Sequence, residues 1–472
     1  MATYAPTHGL SLPLLLTLSA LPAGAIQAQP SDPGIRHSAT DNGPPAPLPG
    51  LGQDELDYFD DGLARFQLTE VVSGADATQG NGLGPRFNSN SCVSCHAQPN
   101  VGGSSPQENP LLSIASANGA RNTVPWFITA DGPVREARFV ETNGVRDGGV
   151  HNLFVVAGRS DAGNCAITQP SFTPSGDPVT GQGGNSNIIF RIPTPIFGAG
   201  LIEAIPDSAI LANMRNNESH NSQSGVHGHA NAILGGNTNL SANDGTITRF
   251  GWKAQNKSLL MFAGEAYNVE MGISNQLFPQ ERDETAVCHT YPSTPEDGDN
   301  FPSTTASSSM AVLSDIEAFA NFMRMLAPPT PAPATPSTLN GRAEFINIGC
   351  ADCHTPSFTT GAAIASGSAR NPSPALSGQQ VNLYSDLLVH HMGQGLADGI
   401  SQGAAAPDEF RTAPLWGLGE RIFFLHDGRT SNLLSAIQAH NSSGSEASTI
   451  VRRFNNLGSQ QQQDLLNFLR SL

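Results

Sequence analysis

The chain has 472 residues, with 23 Lys and Arg against 40 Asp and Glu, for a formal net charge of −17. At ~100–200 residues per domain this is enough for two or three domains, and the acidity excludes a nucleic-acid binder, whose phosphates need basic stripes. The 49 Gly and 35 Pro are about 18% of the chain, below the roughly 25–30% typical of low-complexity disorder. A loop-rich globular protein is expected, suited to a basic protein partner or a small neutral substrate.

Residues 1–28 read as a signal peptide. An apolar run from Leu10 to Leu21 is shorter than the ~20 residues a membrane span needs, and small residues follow it, with cleavage expected after Ala25 or Ala28. The first basic residue is Arg36, so the charged start of such a leader is weak. No later run is long enough to span a bilayer, and an exported, periplasmic protein is expected. Residues 29–50 are rich in Pro and Gly and form a mobile arm in this reading. Leu56, Phe59, Leu63 and Phe66 mark a helix over 55–69.

The next landmark is Cys92-Val-Ser-Cys95-His96, and its pattern returns as Cys350-Ala-Asp-Cys353-His354. Two thiols three residues apart, with an imidazole after the second, form the attachment motif for c-type haem. The thiols add to the two vinyl groups, and the imidazole is carried under the porphyrin to bind iron. Paired zinc knuckles are typically ~15–20 residues apart, whereas these motifs are 258 positions apart and each carries its own His. Two covalent haems are therefore expected, held by Cys92, Cys95 and His96 and by Cys350, Cys353 and His354. A Phe stands five residues before the first Cys of each motif, Phe87 and Phe345, and hints at internal duplication. Cys165 and Cys288 are left either for a disulfide, which an oxidising compartment permits, or for two buried thiols.

Between the motifs, residues 120–200 hold short apolar runs, Trp126–Ile128 and Ile188–Phe190 among them, that read as strands and turns. Residues 215–245 read as a polar surface excursion in which His220, His227 and His229 are solvated. Leu313–Leu326 has helical periodicity, and the Pro-rich stretch 328–336 ends it as a stiff linker. Residues 460–472 form an amphipathic helix. The expected fold is mainly α, with two cytochrome c-like haem domains, 51–327 and 337–472, the first enlarged by irregular β-rich insertions.

With these pieces in place, the chain resembles the bacterial di-haem oxidoreductase family related to the di-haem cytochrome c peroxidases. The resemblance is carried over nearly all of the chain after the leader. Its residues are Gly82 to His96, Arg249-Phe-Gly-Trp-Lys-Ala254, Glu270-Met-Gly-Ile273, Tyr384-Ser-Asp-Leu-Leu388, Phe410-Arg-Thr-Ala-Pro-Leu-Trp-Gly417 and His426-Asp-Gly-Arg429. It implies two haems of unequal coordination, one reacting with hydrogen peroxide or another small oxidant, the other relaying electrons from a redox-protein donor.

The same resemblance implies that Trp252 bridges the haems and that Glu270 stands over the first, where a carboxylate can carry a proton between peroxide oxygens. It places His440, after the helix-like Leu433–Ala439, as the second iron ligand of the second haem. His390, His391 and, for the first haem, His151 are rivals for axial ligation, and His426 either holds a turn or takes part in catalysis. Asn122 and Thr412-Ala-Pro414 partly echo a calcium site. Two other functions fit the motifs: a non-enzymatic electron carrier with both irons fully ligated, and oxidation of a different substrate through high-valent haems.

Overall fold

The computed structural model describes residues 1–2, 29–37, 45–73, 79–139, 153–172, 187–220, 224–231, 247–280, 285–288, 295–297, 313–363 and 372–472. The expected leader, His151 and most of the polar excursion lie outside these residues. Among them are eleven α-helices and ten short strands, so helices supply most of the regular structure. The helices are α1 (Gln53–Phe66), α2 (Cys92–Cys95), α3 (Leu111–Ser116), α4 (Ala199–Glu203), α5 (Asp207–His220) and α6 (Leu259–Met271), then α7 (Asp315–Met325), α8 (Pro336–Asn347), α9 (Leu433–Ala439), α10 (Ser448–Asn455) and α11 (Ser459–Ser471). None is long and apolar enough to cross a membrane.

The strands are only two to four residues long and pair off in twos. β1 (Thr69–Val71) runs parallel to β2 (Gln79–Asn81). β3 (Arg86–Phe87) lies antiparallel to β5 (Phe154–Val155), and β4 (Glu136–Phe139) to β6 (Ile188–Arg191). Later in the chain, β7 (Phe358–Thr359) pairs with β8 (Gln380–Val381), and β9 (Val389–His391) with β10 (Glu409–Arg411), again antiparallel. Ile188–Phe190 is thus a strand as expected, but Trp126 and Phe127 sit in a turn.

Two helix crossings shape the sites. α1 packs on α7, and α8 on α11. Each crossing turns on a glycine: a Cβ on Gly62 would meet Ala318 O at 2.3 Å, and one on Gly341 would meet Asp464 O at 1.9 Å. Four residues on, the same helix presents a phenylalanine to the motif histidine. Phe66 lies 6.1 Å from the His96 ring, and Phe345 lies 6.2 Å from the His354 ring. The repeated unit is therefore Gly62-Leu-Ala-Arg-Phe66 and Gly341-Arg-Ala-Glu-Phe345. Phe87, on strand β3, is not the counterpart of Phe345, because the first unit inserts β1 to β3 between its helix and its motif.

Local sequence explains the boundaries. Ser258 caps α6 by accepting from Met261 N at 3.1 Å, and Ser314 and Glu317 cap α7, with Ser314 N donating to Glu317 Oε2 at 3.2 Å. Pro336 opens α8 behind the Thr335 cap, and Ala332 N in the Pro-rich stretch donates to Ser471 O of α11 at 2.7 Å. Two principal apolar cores result. One gathers α1, α6, α7 and also Phe358, Leu376 and Leu388; the other gathers α8 to α11.

Cys165 and Cys288 form a disulfide across a sequence separation of 123. In the chain-entropy account a loop of this size contributes about 4–5 kcal/mol. Replacing both cysteines by serine is expected to lower the denaturation midpoint accordingly, with the change lost when both proteins are compared under full reduction. An unchanged midpoint would refute it.

Candidate active site

The two C-x-x-C-H motifs are built alike. α2 is a single turn with Cys92 and Cys95 at its ends, and Cys350–Asp352 forms the matching 3₁₀ turn. None of the four motif thiols forms a disulfide among the described residues. His96 Nδ1 lies 3.0 Å from Gly103 O, and His354 Nδ1 lies 2.9 Å from Tyr384 O. A carbonyl can only accept, so Nδ1 carries the proton in each ring and Nε2 keeps its lone pair. Burial lowers both histidines to a pKa of about 4. Each is a neutral, oriented imidazole of the kind that binds a metal.

Each motif opens on its own cavity. One, of about 80 Å³, is lined by Cys92, His96, Arg138, Trp252, Tyr267 and Glu270 among others. The other, of about 220 Å³ and mainly apolar, is lined by Cys350, Cys353, His354, His440, His426 and Trp252 among others. Paired thiols, a neutral oriented imidazole and an adjoining cavity in each place fit a haem attached at Cys92 and Cys95 and a second at Cys350 and Cys353. Trp252 lines both cavities.

The tryptophan is held from several sides. Its indole Nε1 donates to Ile192 O at 2.8 Å, and its own carbonyl accepts from Arg411 N at 2.8 Å. Next to it, Lys253 is buried, donating to Glu409 O at 2.8 Å and pairing with Asp398 at 3.2 Å. Asp398 also accepts from Arg191 Nη2 at 2.6 Å.

Glu270 stands at the end of α6. The carbonyl of Glu270 accepts from Asn88 N at 2.6 Å, and that of Met271 from Gly84 N at 2.9 Å, so the loop leading to Cys92 is bonded to the helix end. Gly272 ends the helix at φ +72°, where a Cβ would meet Gly84 O at 2.5 Å; only glycine fits there. The Glu270 carboxyl makes no hydrogen bond among the described residues. Burial raises its pKa to about 7; Arg138 pulls it down and Glu265 pushes it up.

The sequence profile of the family described as "Di-haem oxidoreductase, putative peroxidase" matches residues 175–472, more than half of the chain. The chain belongs to this family. The matched span includes Trp252, Glu270 and the second motif, while Cys92–His96 precedes it, so the match is shorter than the near-complete coverage the motifs led us to expect. No curated protein matches the chain.

Among solved structures, the chain is similar to a hydrazine synthase of Kuenenia stuttgartiensis (19% identity, 34% of this chain and 55% of that one, TM-score 0.23). It is similar to a MauG-like protein associated with microbial copper homeostasis (19%, 37% and 56%, 0.24). It is also similar to the di-haem peroxidase BthA of Burkholderia thailandensis (18%, 47% and 65%, 0.28). The chain thus spans less than two thirds of the length of each, and the family assignment rests on the profile match.

In this di-haem oxidoreductase the remaining histidines sort by their partners. His440 ends α9 and lines the His354 cavity; its Nδ1 donates to Ala436 O at 2.8 Å and leaves Nε2 unprotonated. His390, a rival for that role, is committed on both sides, with Nε2 at 2.9 Å from Asp386 and Nδ1 at 2.8 Å from Glu446. His391 is half-exposed beside Asp408 and Glu409. His229 is not simply solvated, since it bonds Glu409 at 2.8 Å, and Val226 and Asn231 near it are buried. His227 is exposed. His426 stacks on Phe410 with centroids 4.3 Å apart, edge-on to Trp252 at 6.4 Å. Asn122 ties α3 to β5, donating to Ala115 O at 3.1 Å and accepting from Val155 N at 2.7 Å.

Proposed function

We propose that this di-haem oxidoreductase is an exported enzyme that reduces hydrogen peroxide to two waters in the His96 cavity. It would take two electrons from a redox-protein donor by way of the His354 cavity and two protons from solvent, which balances one peroxide to two waters. One observation carries the reading: Trp252 lines both cavities, and the smaller is also lined by Glu270, whose carboxyl makes no hydrogen bond among the described residues. When bound, a haem with one open face supplies an iron that can take up peroxide, and a haem ligated on both faces supplies electron transfer.

The chain's own groups do the rest. The Glu270 carboxylate takes the proton from one peroxide oxygen and returns it to the departing one. Arg138, on the same cavity wall, keeps part of that carboxyl ionised near neutral pH. Trp252, held through its indole N–H and its own carbonyl, lends its ring as the path between cavities. His440, with its Nδ1 proton bound to Ala436, keeps Nε2 unprotonated in the cavity wall and would close the second iron. A donor protein with a basic face suits the net charge of −17. The calcium site implied by the family resemblance would require Asn122 Oδ1 to take the ion while holding or releasing Val155 N–H.

Mixing the purified di-haem protein with hydrogen peroxide in a stopped-flow spectrometer tests this reading. A Soret shift within the first turnover supports it; an inert spectrum in every redox state refutes it. Trp252→Phe is expected to leave the first reaction with peroxide within about twofold and to slow re-reduction at least tenfold. Re-reduction at the normal rate would remove Trp252 from the path.

A further inference from the structure

The His354 cavity contains two positive charges that the scheme above does not use. Arg411 ends strand β10; it is 9% exposed, and its Nε donates to Gly251 O at 2.9 Å. Arg421 follows the 3₁₀ turn Leu418–Glu420 and donates from Nη2 to Pro414 O at 3.2 Å, while its Nε is buried without a hydrogen-bond partner. Both line the larger cavity, and both also line a recess of about 30 Å³ beside Trp252 and Trp416.

Their lack of a counter-charge sets them apart. Arg65 is 2.9 Å from Asp315, Arg191 2.6 Å from Asp398, Arg324 2.6 Å from Glu203 and Arg470 2.7 Å from Asp32. Among the described residues neither Arg411 nor Arg421 has a carboxylate within ion-pairing distance. Burial, then the charge of Arg421, brings the pKa of Arg411 to about 10, and burial brings Arg421 to about 10. Both therefore remain guanidinium ions at neutral pH. Two such cations beside one cavity leave buried charge unbalanced, and a planar guanidinium fork matches a carboxylate edge to edge.

We infer that Arg411 and Arg421 form a carboxylate clamp that receives the propionate groups of the haem attached at Cys350 and Cys353, next to Trp252. This rests on the reading that a haem fills that cavity. The clamp would hold that haem by its propionates and, as two positive charges lining the cavity, would favour its reduced state.

The test uses the holoprotein and the variants Arg411→Gln, Arg421→Gln and Arg421→Lys. Covalent haem is counted by pyridine haemochrome, and each haem is titrated potentiometrically at pH 7. Each Gln variant is expected to keep two haems per chain and to show about a tenfold drop in the reduced-to-oxidised ratio of the second haem at fixed potential, equivalent to 59 mV for one electron. The first haem, unchanged, serves as the internal control. Arg421→Lys, which keeps the charge, should return the ratio to within about twofold of wild type. Should one Gln variant fail to fold, the other decides, since each removes one charge from the same pair and should lower the same potential.

Gln variants with two haems and an unmoved second potential would overturn the clamp. Formate added to the wild type should leave the potential unmoved, because propionates already fill the site; a formate-dependent shift would assign the clamp to a free carboxylate and overturn the propionate assignment. Wild-type protein with no haem at Cys350 and Cys353 would instead refute the underlying haem reading.

Discussion

Glu270→Gln is expected to slow the reaction with hydrogen peroxide by roughly 10²–10⁴-fold, the usual span for losing a positioned general acid–base group. Haem content and the resting spectrum should stay as in wild type, because the helix end is held by the backbone carbonyls of Glu270 and Met271, which the substitution leaves intact. The pH profile supplies the sign. Burial raises the Glu270 carboxyl to about 7, and only the ionised form can accept the first peroxide proton. The wild-type rate should therefore level off above about pH 7 and fall as the pH drops below it. The Gln variant, with nothing to titrate there, should lose that limb. Stopped-flow rates from pH 5 to 9 give both results. A Gln variant within threefold of wild type, or one that keeps the same limb, would assign the proton transfer to another group.

Asp398→Asn should destabilise the fold by about 3–5 kcal/mol, the cost of removing one partner from a buried ion pair. Asp398 is 4% exposed and accepts from Arg191 at 2.6 Å and from Lys253 at 3.2 Å. An amide there would take away the ion-pair partner of two buried cations, leaving only the more distant charges of Glu265 near Arg191 and Glu409 near Lys253. Burial by itself raises the Asp398 carboxyl; Arg191 and then Lys253 more than offset this, and its pKa lies below the usual 3.8. A depressed folded-state pKa means the stabilisation is fully present above pH 3.8 and is lost as the pH falls through the folded value. The wild-type advantage over Asp398→Asn should thus be constant near neutrality and shrink below about pH 4. Denaturant titration of the holoproteins at pH 7 and pH 3 measures it. A difference under about 1 kcal/mol at pH 7 would show that the cluster is not an energetic unit.

The parts of the site legible in sequence are those in which the chemistry fixes the spacing. A thiol pair with its following histidine has one dominant use, so Cys92–His96 and Cys350–His354 stand out without structural help. Apolar periodicity marked α1, α7 and α11 because each buries one face. The backbone partners could not be read: Gly103 and Tyr384 orient the histidines through carbonyls, which any residue could supply.

The internal repeat was obscured for a different reason. Gly62 and Gly341 matter because another helix crosses them, and three strands separate Phe66 from its motif while Phe345 lies five residues from its own. Equal spacing drew the comparison to Phe87 instead. Arg411 stands in the sequence only as part of the Phe410–Gly417 motif and Arg421 carries no signal there, because neither the cavity they line nor the lack of a nearby carboxylate is visible in the sequence. His390, whose Glu446 partner is 56 positions away, read as an available ligand for the same reason.

The account depends on a difference between the two cavities: among the described residues, an unbonded carboxyl and no histidine besides His96 line the smaller, and His440 stands in the wall of the larger. Low-temperature electron paramagnetic resonance of the ferric protein, before and after cyanide, tests it directly. One high-spin signal that cyanide converts, beside one low-spin signal it leaves alone, is the predicted result. Two low-spin signals, both indifferent to cyanide in the ferric and half-reduced states, would contradict it and leave a protein that only carries electrons.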